Sequence, residues 1–508
     1  MNTSSGRHRK QDTGDVPPVL APGTEDVLAP VGQGVPGDHA ADANITDTEH
    51  GSDSPDDPDG PGHAEGGAGR LSAHRHRPAR RGVGGERAGG NGRRSPWNRR
   101  GDRIAVALIA VVSLTTGLLI WAFSDNRATS QEVAGPAPAL PPAPGEVPAQ
   151  LAEIWRADSQ DTPLPVAEQN SVITASGGEV AGRDPLTGEI RWRYARDLQL
   201  CTVSGSWDRV LAVYRKDAGC SEVTQLDADS GKRTAQRNGD AELGTRLVGD
   251  GDHVTTTGKH LLNTWRSDLV KSMEYGQVYA PQNPEKQPRT GCVYSSVAAA
   301  AGKVGVIERC ENDGETASTS PAAEQPAAGD RLTVLKAASE EADEPEELFS
   351  TLLPGAQGVL VAMSADHSAV AMPDANQLAV FDGDGNVSAT YPLDLPAPDL
   401  ARQPPQGVAP TSEGVRNLYW FTGSRTVALA RNDLAPQWTL EDSLGPGTLF
   451  AGQYVVPIAG GLAVLDERTG ATIRTIGVDR QGYTGPVELA SAGPVLLEQR
   501  GDTVVALR

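Results

Sequence analysis

The longest apolar run in the chain is Ile104–Phe123, IAVALIAVVSLTTGLLIWAF, 20 residues without a charge. As a helix rising 1.5 Å per residue it is about 30 Å long, the thickness of a bilayer hydrocarbon core. The pattern predicts a transmembrane helix over 104–123. A secretory signal peptide would open the chain with a shorter apolar run. The Arg99-Arg100 pair is followed by Gly101-Asp102 rather than apolar residues, and no A-x-A cleavage site is close, so a twin-arginine signal is not matched either. Beyond the run, Gln131–Gln150 reads QEVAGPAPALPPAPGEVPAQ. Its prolines favour extended polyproline II, and 124–150 is expected to be a stalk.

From Leu151 onward the period changes to two. Short runs in which Val, Leu and Ile alternate with other residues end near Asp, pass through a polar turn and resume as a second strand. The phrase is clear in EVAGRDPLTGEIRW from Glu179, EVTQLDADSGKRT from Glu222 and GLAVLDERTGATIRTI from Gly461. Weaker copies start at His260, Arg331, Gln377 and Thr426, and DTVVALR from Asp502 looks like an eighth copy lacking its second strand. The aligned positions Asp184, Asp227, Trp265, Lys336, Asp382, Arg431, Asp466 and Leu507 are spaced by 43, 38, 71, 46, 49, 35 and 41 residues. Periods near 40 to 50 are those of four-stranded propeller blades. The long interval holds the proline-containing connection 277–291 and the low-complexity insertion 311–329. The sequence therefore predicts an all-β, eight-bladed propeller over 151–508, or a seven-bladed one if a weak copy is a loop. Glu153–Asp158 resembles the missing second strand, so it is expected to pair with Asp502–Leu507 and close the ring, removing two open edges.

The strand, D-x-x-T-G turn and Trp-bearing strand, as in RDPLTGEIRW at 183–192 and LDERTG at 465–470, resemble the PQQ-like repeat. That repeat is named for quinoprotein dehydrogenases and is shared by outer-membrane assembly lipoproteins that use no quinone. The resemblance implies a propeller and is poorly specific for chemistry. The layout as a whole resembles single-pass membrane proteins of actinobacteria.

Charge sets the orientation. Residues 1–69 are acidic, net −10, and too poor in apolar residues to repay ordering, so a disordered cytoplasmic tail is expected. Residues 70–103 hold 11 Arg and a net charge of +9, while only Arg127 follows the helix closely. The positive-inside rule then places the N-terminus in the cytoplasm, the basic segment on anionic lipid and everything after Phe123 outside. No nucleic-acid-binding fold accompanies the arginines. The rest of the chain is net −20, which favours basic partners or divalent cations over polyanions.

Candidate chemistry is sparse. Cys201, Cys220, Cys292 and Cys310 all follow the helix, where disulfides persist. Three pairings are open. In two blades one Cys begins the innermost strand and the other lies just past the second strand, which favours Cys201–Cys220 and Cys292–Cys310. No C-x-x-C pair occurs, and only His253, His260 and His367 follow the helix, so no metal set is indicated. DGDGN at 382–386 starts like a calcium loop, but Val387 and Leu393 occupy the turn-Gly and bidentate-Glu positions. Adjacent cysteines, expected of a quinoprotein dehydrogenase, are missing, and no cofactor is implied. Trp155, Trp192, Trp265 and Trp438 are expected to pack between blades.

The expected function is that of a non-enzymatic protein-binding scaffold or envelope assembly factor with an extracytoplasmic protein partner. The rivals are an enzyme or quinone- or small-ligand-binding propeller using the central channel, and a transmembrane sensor. Long loops on a rigid scaffold commonly carry function. The partner is therefore expected on the face bearing 277–291, 311–329 and 395–413, with Tyr279, Lys286, Arg289 and Arg402 as candidate contacts. Entry of the stalk at Glu153 predicts that this face points away from the membrane.

Overall fold

A computed structural model describes residues 100–122, 124, 127–279, 285–310 and 329–508. The expected acidic tail 1–69, the basic stretch up to residue 99, and 280–284 and 311–328 within the long interval lie outside the described residues. Helix α1 spans Arg100–Ala122, 23 residues with a mean hydropathy of 2.4 in its apolar window and no buried residue. It is the one described helix long and apolar enough to cross a membrane.

Eight antiparallel sheets follow, each with a four-stranded blade. Their third strands are Glu179–Arg183, Gly219–Asp227, Leu261–Trp265, Gly329–Lys336, Gln377–Phe381, Thr426–Ala430, Gly461–Leu465 and Thr503–Leu507. All eight positions aligned from the sequence fall at or just after the end of one of these strands. The ring closes as expected, with Glu153 opposite Leu507 and Asp158 opposite Thr503. The last blade therefore takes three strands from the C-terminal end of the chain and its outermost strand from the start of the propeller.

Burial follows position within the blade. Second and third strands are covered on both sides by neighbouring blades: all six residues of Val495–Arg500, charged Glu498 and Arg500 included, and all five of Gly461–Leu465 are buried. Outermost strands alternate, as in Glu153–Asp158, where Trp155 is the buried position.

Successive blades dock through the repeat motif. The Trp192 ring, on the outermost strand of blade 1, donates its indole N–H to the Ala228 carbonyl in the turn of blade 2 at 2.9 Å. Gly231 in that turn has φ +71, and a Cβ there would meet the ring at 2.5 Å. Glycine is thus needed twice, for its conformation and for the close approach. Trp155 repeats the contact on Pro185 at 2.8 Å and Trp438 on Glu467 at 3.0 Å. In blade 4 Phe349 takes the place of Trp and packs on Gly385. Trp265 differs: it lies on a third strand, packs against Gly239 and Leu269, and leaves its indole N–H unpartnered.

The proline-rich segment is extended, but it is laid along the propeller. Thr129–Glu132 adds a fifth strand to blade 1 beside Ile190–Arg196. Ala134 then donates to Ser230, Leu140 to the Asn170 side chain and Val147 to that of Gln453. Val147 and Leu151 are buried in the apolar cluster of the last two blades. These contacts join the short turns of blades 1, 2, 7 and 8, so the segment is a strap across the face that carries the D-x-x-T-G turns.

Candidate functional site

The propeller offers three surfaces: the turn face under the strap, the central channel, and the opposite face, formed by connections between blades and between second and third strands. The last is called the loop face.

Segment 405–410 of the connection between blades 5 and 6 forms a wall common to two chambers of the channel. Val408 and Ala409 line the turn-side chamber, of about 590 Å3, whose other walls include Ala298–Ala301 and Val361–Ala365. Pro405, Gln406 and Pro410 line the loop-side chamber, of about 380 Å3. Gln406 and Gly407 have φ of +47 and +74, and a Cβ on Gly407 would sit 3.3 Å from the Ser295 carbonyl of blade 4. Two successive left-handed residues bring the backbone against that inner strand.

Charge lines both chambers: Asp250, Glu413 and Arg431 the turn-side one, and Asp161, Arg246 and Glu488 the loop-side one. Gln499 and Tyr483 also line the loop-side chamber. Burial pushes the Glu488 carboxyl up to about 7, against the pull of Arg246. Burial also raises Asp161 and lowers Arg246 from their ordinary values. Near the turn-side end of blade 1, burial and then Asp208 push Glu168 up to about 7. On the turn-side rim Arg431 pairs with Glu413 at 2.8 Å.

The loop face is fastened by both disulfides and by buried ion pairs. Cys201–Cys220 and Cys292–Cys310 are formed, the second between directly opposed strand residues. Glu222, Glu308 and Glu498 are each 0% exposed, and each receives an Arg from the segment leading in from the previous blade. Arg196 pairs with Glu222, Arg289 with Glu308 at 2.8 Å, and Arg480 with Glu498 at 2.8 Å. Tyr275 and Thr333 also donate to Glu308, at 2.7 and 2.6 Å, and Arg500 adds a second bond to Glu498 at 2.7 Å. Sequence reasoning missed these latches. Their signal was a Glu within an inner strand, as in SEVTQ, VIERC and LLEQR.

The four candidate contact residues do not share one environment. Tyr279 is 69% exposed, and Arg402 is exposed with its guanidinium over the Phe421 ring at 5.9 Å. Lys286 is held by Glu341 and Glu344 at 2.9 and 2.6 Å, and Arg289 belongs to the Glu308 latch and also pairs with Glu347. His367 lies in a turn, with Nδ1 3.0 Å from the Asn432 carbonyl, and Asp382 accepts from Asp384 and Asn386 in a tight turn. The cluster of Cys292, Glu308 and Cys310 is taken up by a disulfide and a latch.

The tether joins the propeller on the loop face rather than at Glu153. Thr129 stands opposite Arg196, at the loop-face end of the outermost strand of blade 1, and the Asp197 amide donates to the Ala128 carbonyl at 3.1 Å. Six residues, 123–128, separate α1 from that strand, a reach of at most about 25 Å. The chain thus arrives from α1 on the loop face, crosses to the turn face along blade 1, and only then runs to Glu153. Sequence reasoning placed the entry at Glu153 because TSQE at 129–132 has too little apolar alternation to read as a strand.

No protein-family model matches the chain, and no curated protein matches it. Solved propellers do. BamB from Moraxella catarrhalis is 17% identical over 71% of this chain and 98% of its own, with a TM-score of 0.41. The computationally designed Ika8 protein is 15% identical over 71% and 99%, at 0.45. The quinohemoprotein alcohol dehydrogenase of Comamonas testosteroni is 12% identical over 71% and 76%, at 0.44. At these identities the likeness is one of fold alone, and the eight blades themselves show the chain to be a β-propeller.

Proposed function

We propose that the chain is a membrane-tethered, extracytoplasmic propeller that acts as a non-enzymatic scaffold or assembly factor, docking a protein partner on its loop face. One observation carries the reading: the short tether and the long connections share a face, so the surface with the longest connections on a stapled ring is held beside the bilayer. The charge of +9 ahead of the helix supports a cytoplasmic N-terminus, with the basic segment on anionic lipid. The two disulfides support an oxidising compartment for the propeller. The net −20 beyond residue 103 favours a partner with a basic surface.

The test is site-specific photo-crosslinking in intact cells, with the probe at Tyr279 or Arg402 on the loop face or at Ile473 beside a turn of blade 7. Ile473 is 57% exposed and serves as the control. Discrete protein adducts from 279 and 402 but not from 473 are expected. Adducts from 473 alone, or from none of the three, would defeat the reading.

A further inference from the structure

The loop-side chamber contains charges that the scaffold does not use. Elsewhere in the propeller, the buried arginines Arg196, Arg480 and Arg500 each meet a carboxylate directly. Arg246 and Glu488 do not. They line the same chamber and influence each other electrostatically, yet no side-chain hydrogen bond or ion pair among the described residues engages either group. Two further polar atoms are orphaned among the lining residues: Asp161 Oδ2, and Oγ1 of Thr202, which is 3% exposed.

Holding a guanidinium and a carboxylate partly out of water without joining them forfeits hydration and gains little attraction. The same arrangement is complementary to a small molecule carrying both charges. A volume of about 380 Å3 suits a small ligand. The wall is also firm: Cys201 is tied to Cys220, Glu488 sits in a strand of the closing blade, and Pro163, Pro405, Pro410 and Pro486 supply stiff edges.

The geometry points to a binding site for a zwitterion the size of an amino acid or dipeptide, with its carboxylate on Arg246 and its ammonium between Glu488 and Asp161. Gln499 and Thr202 line the remaining wall, where they meet the ligand's polar or small side. The site is separate from the exposed loop residues proposed to dock protein, so it can be tested on the purified chain alone.

The test uses the full-length chain in detergent and follows melting temperature and calorimetric binding. The probes are the free amino acids and Ala-Ala, each up to about 10 mM, a range that resolves millimolar affinity. Acetate and methylamine at matched ionic strength are the single-charge controls. At least one zwitterion is expected to bind saturably, with both controls about tenfold weaker or worse. Glu488→Gln and Arg246→Gln are each expected to weaken that zwitterion about tenfold or more while the ligand-free variants still melt cooperatively. Thr115→Ala, on the exposed surface of α1, is the neutral control. No saturable zwitterion across the panel, acetate or methylamine matching the zwitterion, or unchanged affinity in both cooperatively folded variants would overturn the assignment.

Discussion

The two faces of the propeller are built by different means. On the turn face the same device recurs: an aromatic ring on one blade rests on a glycine turn of the next, as Trp155 does on Gly188, Trp192 on Gly231 and Trp438 on Gly470. On the loop face, position-specific parts do the fastening: two disulfides, three buried Arg–Glu latches and connections of unequal length. The repeated device serves several blade junctions in the same form. A position-specific one is free to differ from blade to blade, which suits a surface that recognises something. The strap adds to the contrast by covering part of the turn face.

The comparison can be broken most severely at the seam. Deleting Thr503–Arg508 removes the partner of Glu153–Asp158 and the buried Val504, Val505 and Leu507. At roughly 1.5 to 3 kcal/mol per buried aliphatic side chain the loss rivals the stability of a whole domain. The truncated chain is expected to lose its cooperative melt by calorimetry. A melt like that of the full chain would refute closure by both chain ends.

Next in size is the turn-face device. Trp192→Ala empties a fully buried site and orphans the Ala228 carbonyl; about 3 to 5 kcal/mol of destabilisation is expected in urea unfolding. Trp265→Ala should cost less, because its indole N–H has no partner to lose. Equal losses would show that the indole hydrogen bond is not part of the docking device.

The loop-face latches give a smaller but distinctive signal. Arg289→Leu leaves Glu308 buried with its Tyr275 and Thr333 hydrogen bonds but no cation, and about 3 kcal/mol should be lost. The pair Arg289→Leu with Glu308→Leu should recover most of it, as an apolar replacement for the whole ion pair. Additive losses in the double mutant would mean that the two residues act independently.

The smallest effect expected is pH-dependent. Glu488 titrates near 7 when folded, against an ordinary value of 4.5. A raised folded value means that proton uptake favours the folded chain: the contribution is full below about 4.5 and is lost as pH rises through about 7. Glu488→Gln, which has no charge to desolvate, is therefore expected to melt about 2 °C higher than the parent at pH near 8, with the difference vanishing near pH 5. The opposite trend would place Glu488 in a stabilising ion pair.

The turn face was largely legible in the sequence because it is periodic. The eight aligned positions, the turn glycines and the closing strand Glu153–Asp158 came from alternation and spacing alone, and the disulfides followed from strand order. The loop face was not, because its contacts are non-local and unrepeated. Glu308 meets Arg289 across a blade boundary, and Glu488 of blade 8 shares a chamber with Arg246 from the entry to blade 3, with no shared motif to announce either. The strap was read as a free stalk because proline-rich composition reports extension, while docking depends on single contacts such as Val147 against the Gln453 side chain. Trp265 was grouped with the other tryptophans by residue type, although its aligned position is the end of a third strand.

The central claim is that the loop face lies against the membrane. It is tested most directly by energy transfer from a fluorophore to acceptor-labelled lipid headgroups, with the full-length chain in lipid nanodiscs and the fluorophore placed at Tyr279→Cys or Ile473→Cys. Blade strands of five or six residues set the two faces about 20 Å apart. The account predicts strong transfer from position 279 and weak transfer from position 473; stronger transfer from 473 would invert the molecule and contradict it.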